Sequence, residues 1–355
     1  MNWSYNNELL DDALFDPTQK HEKRMSHSMT RRRFVATGAA VAGASLLPTV
    51  SSIAAEAEKK AESGPFRHPF HKAVFATPKS DLAEIKKAGF EGIECLDWNV
   101  SPEMAREGRK KVEAAGLRIH SVLLGWLDFN SAKPNEVEDS LSKATVALRA
   151  AQGYGADTVL LVPCKVGGIA MPNPWEFDID FDEHTGKLHR VVKGDNSKFQ
   201  EYIDAQNRAT ETSRVNLRKL IPIAEAAGVI VGVEGVWNNL WVRPEFFKQL
   251  IVSCDSRWIQ AYFDIGNQVK YLIPSEEWIR ILGRLIVKCH VKDYKLSADG
   301  HSGSWPSLRE GSVNWPAVRK ALDDVGYSGW GTIESPGPIS LAEQNRRFDL
   351  IVEGK

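Results

Sequence analysis

Three stretches of this chain repeat one design: a charged helical run ends in glycine and passes directly into an apolar β-type segment. They are EIKKAGFEGIE (Glu84–Glu94), KVEAAGLRIHS (Lys111–Ser121) and IAEAAGVIVGVE (Ile223–Glu234). A helix stopping at Gly89, Gly116 or Gly228 uses a residue that takes the left-handed backbone without a Cβ clash. A chain that returns from each helix straight into a strand builds parallel βα units. Eight candidate strands follow in order: His71–Ala76, Gly92–Leu96, Arg118–Leu124, Thr158–Pro163, Val229–Glu234, Ile259–Asp264, Ile286–Lys292 and Gly331–Glu334. Eight is the number that closes an α/β (β/α)8 TIM barrel. An open doubly wound sheet fits less well, because no glycine-rich phosphate fingerprint follows the first strand. At 355 residues the chain has room for such a barrel as one domain, placed at 58–355.

One connection is long. Some forty residues, Cys164–Asp204, separate the fourth strand from the fourth helix. Insertions of this length carry function or an interface. Within it, FDIDF-DEHTG-KLHRVV alternates apolar and polar residues about Thr185-Gly186 and predicts a β-hairpin, a lid or interface element over the mouth. Asp178, Asp180 and Asp182 mimic the start of a calcium loop but lack its glycine, so they read as a solvated hairpin face.

The first 57 residues read differently, as an N-terminal extension and a twin-arginine signal peptide. Thr30-Arg31-Arg32-Arg33-Phe34-Val35 precedes the mild apolar run ATGAAVAGASLLPTV, and small residues offer cleavage after Ala54 or Ala57. An apolar run of about fifteen residues is too short for a stable membrane span. Met25 and Met29 are candidate starts, since about thirty residues precede the arginines. The expected destination is the periplasm, with no membrane attachment after cleavage. Twin-arginine export carries folded proteins, which suits a metal loaded in the cytoplasm. A net charge of -1 leaves no basic footprint for nucleic acid. Cys95, Cys164, Cys254 and Cys289 lack metal-ligand spacing and read as small buried hydrophobes.

Four acidic or histidine residues end predicted strands: Glu234 in VGVEGVWNN, Asp264 in AYFDIGNQ, His290 in IVKCHVKDY and Glu334 in GWGTIESPG. Strand ends on one face of a parallel barrel converge, so these four are candidate ligands of one divalent metal ion. Two Glu, one Asp and one His suit Mn, Co, Mg or Zn. A carbon-bound proton beside a carbonyl is weakly acidic, and its removal needs a positioned base and stabilised enediolate charge. Glu234 and Glu334, on the fifth and eighth strands, are the natural acid/base pair. Candidate substrate-binding residues at the same mouth are Glu94, His120, Lys292 and Arg309. The loop aromatics Trp98, Trp126, Trp237, Trp241 and Trp305 join them, because indoles stack on the C–H faces of sugars.

Taken together, VGVEG, FDIGN, CHVKD, REGSVNW and TIES resemble the xylose isomerase-like TIM barrels, a family of sugar isomerases and epimerases, over roughly residues 70–340. The resemblance implies one divalent metal held by Glu234, Asp264, His290 and Glu334. The chain also departs from the ketose 3-epimerases of that family. Leu240 stands where those enzymes carry a second Glu, and Asn267 where they carry a His that grips the substrate. Asn267 is therefore a further candidate substrate-binding residue, and the substrate grip differs. The expected activity is a metal-dependent carbohydrate isomerase or epimerase acting on a small-molecule sugar through an enediolate. The alternatives are a lyase or hydratase on an oxidised (keto) sugar at the same site, and a non-catalytic sugar-binding barrel. A zinc endonuclease of the superfamily needs three metals and more histidines than His71, His120 and His290 supply. Exposed aromatic loops are compatible with a homo-oligomer.

Overall fold

The computed structural model describes residues 66–334 and 337–355. The N-terminal extension and signal peptide expected at 1–57 lie outside the described residues. Eight strands form the sheet: β1 (Phe70–Ala76), β2 (Gly92–Cys95), β3 (Arg118–Trp126), β4 (Thr158–Val162), β5 (Ile230–Glu234), β6 (Ile259–Asp264), β7 (Ile286–Val291) and β8 (Gly329–Ile333). Each pairs in parallel with its neighbour in sequence, and β8 returns to β1, with Phe70 opposite Gly329 and Val74 opposite Ile333. The sheet is thus a closed barrel. One helix follows each strand: α1 (Leu82–Ala88), α2 (Pro102–Ala114), α3 (Pro134–Tyr154), α4 (Gln200–Ala227), α5 (Pro244–Ser253), α6 (Ser275–Leu282), α7 (Trp315–Asp324) and α8 (Leu341–Val352). This is the expected TIM barrel.

The helix-to-strand turns follow from the sequence. Gly228 ends α4 at φ 67, and its N–H reaches back to the carbonyls of Ala224 and Glu225. A side chain there would strain the turn that delivers the chain into β5. At the other helix ends, Asp81, Ser101, Asn314 and Ser340 accept a backbone N–H from the first turns of α1, α2, α7 and α8. All four cysteines are buried and unpaired.

The insertion between β4 and α4 contains the expected hairpin, with Asp180–Phe181 antiparallel to Leu188–Arg190. Asp182 spends its carboxylate inside the turn, accepting from the N–H groups of His184 and Thr185. The hairpin does not cover the mouth. It is fastened to the flank: Leu188 N–H donates to Asn207 of α4 at 2.7 Å, and Phe181 packs on Phe246 of α5. Residues 163–176 remain at the mouth, where Trp175 stacks on His301 at 4.0 Å. His301 belongs to a second small hairpin after β7, Lys295–Leu296 with Gly303–Ser304.

Candidate active site

The last residues of β5 and β6, the penultimate residue of β7 and the residue after β8 meet at the C-terminal mouth of the barrel. One ligand atom from each of Glu234, Asp264, His290 and Glu334 lies within 4.8 Å of all the others. His290 Nδ1 sits 2.8 Å from Glu334 Oε2, 3.2 Å from Glu234 Oε1 and 3.8 Å from Asp264 Oδ2. Asp264 is aimed by the turn that follows it: its Oδ1 accepts from the N–H groups of Gly266 at 2.8 Å and Asn267 at 2.7 Å. That turn presses on the chain just past β7, where a Cβ on Gly266 would meet the Lys292 carbonyl at 2.7 Å.

Charge is badly matched here. Glu94, Glu234, Asp264 and Glu334 surround two cationic side chains, His290 and Lys292, and all six are largely buried. Burial pushes the Glu234 carboxyl up and the Asp264 carboxyl up to about 7, and neighbouring carboxylates add to both shifts. Burial also opposes the charge of Glu334, yet Lys292 and His290 outweigh it and hold that carboxyl well below its usual range. His290 loses stability as a cation by burial, but the carboxylates of Glu94, Glu334 and Glu234 raise it well above an ordinary histidine. Asp264 Oδ2 and Glu334 Oε2 are buried and make no well-aligned hydrogen bond among the described residues; they meet Lys292 at 3.3 Å and His290 at 2.8 Å as ion pairs. Carboxylate oxygens and an imidazole nitrogen in one buried cluster, with four carboxylates to two basic side chains, fit a divalent cation.

The other candidates divide into three groups. Lys292 joins the cluster, its Nζ 2.9 Å from Glu334 Oε1 and 3.3 Å from Asp264 Oδ2, with the Trp305 ring 4.7 Å away. At the rim, Trp126 is 42% exposed and Trp305 41%. Half-buried Trp237 packs on Trp305 and Tyr294 and donates its indole N–H to the Asn267 carbonyl at 2.7 Å. Asn267 is buried and tied by its backbone to Asp264 and Trp237. Arg309 is exposed, in a left-handed turn at φ 71.

Glu94 and His120 lie below the mouth, both 0% exposed. Glu94 reaches the underside of His290, and His120 bonds Thr332 at 2.9 Å while stacking on Trp330. Both are expected from the sequence at the rim beside substrate hydroxyls; the structure instead places their side chains in the barrel interior. Trp241 is also buried, its indole N–H on Thr210, so it serves packing. It belongs to the loop after β5, where Asn239 and Trp241 both take the left-handed region at φ 61 and 49. Asn239 is pinned there by bonds to Val166 and Tyr202, and Trp241 N–H by Gln206.

Sequence reasoning passed over Tyr262 and Lys270. Tyr262 lies two residues before Asp264 on β6, hence on the same face of the strand, and that spacing was available as a signal. Lys270 follows the Asp264 turn, with its Nζ 3.9 Å from the Trp237 ring and no ion pair among the described residues. Burial lowers it to about 7.

A closed barrel with an acidic, histidine-containing cluster at its C-terminal mouth defines a class of enzyme-type barrels whose chemistry sits where the strand ends converge. The model of the xylose isomerase-like TIM barrel matches residues 82–349, and the chain belongs to that family. An uncharacterized protein of Methanocaldococcus jannaschii is 28% identical over 124 residues, 34% of this chain and 41% of the relative, so the match spans less than half of that protein. Among solved structures, a D-tagatose 3-epimerase-like protein is similar with a TM-score of 0.60 and 18% identity, covering 80% of this chain and 97% of that one. An E. coli 3-keto-D-glucoside 4-epimerase gives 0.56 and 14%, covering 79% and 98%. A xylose isomerase-like TIM barrel protein from Mycobacterium smegmatis, in complex with magnesium, gives 0.55 and 18%, covering 81% and 96%. At these identities the likeness is one of fold.

Proposed function

We propose that this protein is a metal-dependent carbohydrate isomerase or epimerase that moves a proton at a carbon beside a carbonyl. The carrying observation is the cluster itself, in which two glutamates from different strands meet an aspartate and a histidine within 4.8 Å. A divalent cation, held by Glu234, Asp264, His290 and Glu334, would neutralise charge that develops on the substrate oxygens. Glu234 and Glu334 approach from different strands, so one takes the proton and the other returns it. Return to the opposite face of the same carbon gives an epimer, and return to the neighbouring carbon gives an isomer. Lys292 keeps Glu334 charged and oriented through its 2.9 Å contact. Trp237, Trp305 and Trp126 offer indole faces for the sugar ring. The sugar epimerases among the similar structures support a small-molecule sugar as substrate, and the magnesium complex supports a divalent ion.

Two measurements test this reading. Elemental analysis of the purified protein is expected to give about one Mn, Co, Mg or Zn per chain, a single-ion stoichiometry that a four-residue ligand set dictates. Incubation with ketoses and oxidised sugars in D2O is expected to place deuterium at carbon. Protein that takes up no metal after reloading, or loaded protein that exchanges no carbon-bound hydrogen in any sugar, rejects the reading. Loss of water from the substrate would point to a lyase instead. We propose also that the chain is exported to the periplasm by the twin-arginine route, on the strength of Arg31-Arg32-Arg33 and the apolar run after them. Lysine at those three positions is expected to keep the full chain in the cytoplasmic fraction; unchanged export would remove the proposal.

A further inference from the structure

His290 is held from two sides. Its Nδ1 faces Glu234, Asp264 and Glu334, and its Nε2 lies 3.0 Å from Glu94 Oε2. Glu94 has no exposed surface. Its Oε2 also accepts from Tyr262 OH at 2.6 Å, and its Oε1 accepts from Ser121 Oγ at 3.2 Å. The imidazole ring is wedged as well, edge-on to Phe75 at 5.2 Å and tilted on Tyr262 at 4.7 Å. Substrate cannot touch Glu94 in this position. A carboxylate so deep in a barrel is costly unless its donors give it a purpose.

Neutral imidazole carries one N–H, and the nitrogen without it is the one that can bind a cation. Glu94 already accepts from Tyr262 and Ser121, so its Oε2 faces Nε2 as a further acceptor and selects the form with the proton on Nε2. That leaves the Nδ1 lone pair pointing into the cluster. Without Glu94 the proton is free to settle on Nδ1, where three carboxylates attract it and where it competes with the cation.

We propose that Glu94 is a positioning residue of the metal centre, acting through His290 to fix which ring nitrogen is presented and to keep that nitrogen basic. This rests on reading the cluster as a metal site. Ser121 donates to the other oxygen, Oε1, and keeps the Glu94 carboxylate against His290 when the Tyr262 hydroxyl is removed.

The experiment is zinc titration of wild-type protein, Glu94→Gln, Glu94→Ala and Tyr262→Phe, with a chelator competition to give affinities. Proton–nitrogen NMR of the zinc-loaded forms supplies a second readout. Glu94→Ala is expected to lose zinc affinity by about 10–100-fold, and the near-isosteric Glu94→Gln by a smaller factor. In wild type the His290 Nε2–H resonance is expected to lie downfield and to exchange slowly, and both Glu94 variants are expected to move it upfield and speed its exchange. Tyr262→Phe keeps the Glu94–His290 contact and is expected to stay within roughly threefold of wild type. Wild-type affinity and an unmoved Nε2–H signal in Glu94→Gln overturn the inference. So does a Tyr262→Phe loss equal to that of Glu94→Gln, which would mean general packing. Wild-type protein that binds no zinc fails both this inference and the proposed function, whereas zinc uptake indifferent to Glu94 fails this inference alone.

Discussion

The two ends of the barrel handle buried charge in opposite ways. At the N-terminal end, a cavity of ≈ 1290 Å³ is lined by Arg118, Asp157, Lys288 and Asp323, among others. There each acid meets a local donor: Lys288 lies 2.8 Å from Asp157, His71 lies 2.6 Å from Glu91, and Asp323 accepts from the backbone N–H of His68 at 2.9 Å. At the C-terminal end, the carboxylates of Glu94, Glu234, Asp264 and Glu334 share one histidine and one lysine. A charge matched within the fold serves stability. Buried carboxylates in excess of their counter-charges are what support the mouth as the proposed functional end.

Neutralising the mouth should have the largest effect. Glu334→Gln is expected to lower the rate of carbon-bound deuterium exchange by about 10²–10⁴-fold, the usual worth of a positioned acid or base. Its metal content should fall at the same time, and wild-type exchange with full metal content would remove Glu334 from the chemistry.

A matched pair of neutralisations should then differ in sign between the ends. The Glu234 carboxyl is raised by burial, so its ionised form costs stability at pH values above the ordinary carboxylate range. In metal-stripped protein near neutral pH, Glu234→Gln is therefore expected to raise stability by on the order of 1 kcal/mol. Asp157→Asn at the other end leaves Lys288 buried without its counter-charge. The loss there is about 1–2 kcal/mol, reduced because Asp157 is half exposed. Thermal or denaturant unfolding checks both, and two shifts of the same sign would dissolve the contrast. Saturating metal should reverse the order of Glu234→Gln and wild type.

The last effect, read as a pH dependence, concerns Lys270. Folding lowers its pKa to about 7, below the unfolded value, so the penalty for burying its charge is complete below about pH 7 and fades as pH rises toward about 10.4. Relative to Lys270→Met, wild type should gain stability over that interval. Parallel stability curves for the two proteins would show that Lys270 is not desolvated.

Much of the barrel was legible because each βα unit carries its own punctuation. The segment Ile259–Asp264 was read to the residue, and Gly89 and Gly228 end their helices as glycine should. The convergence of Glu234, Asp264, His290 and Glu334 was equally readable, since it follows from strand ends alone. Depth inside the barrel was not. Alternation tells which face of β2 and β3 carries Glu94 and His120, but not how far down the axis they sit. That depends on strand stagger and on the register shift between Ile93 and Glu94, which no local pattern records. The flank position of the β4–α4 hairpin was hidden for a similar reason, because it rests on long-range bonds to Asn207 and Phe246.

The left-handed pair in the loop after β5 has a consequence for selectivity. Asn239 and Trp241 each hold a conformation that costs about 1–2 kcal/mol for a residue with a side chain. The bonds from Val166, Tyr202 and Gln206 sustain it without any ligand. The wall that carries Trp237 is thus preorganised, and a ligand that docks against it loses little loop entropy in doing so. Discrimination then falls to the shape and donor pattern of the rim side chains, so a change at Trp126, Trp305 or Lys270 can retune the ligand while the loop and the cluster beneath stay as they are.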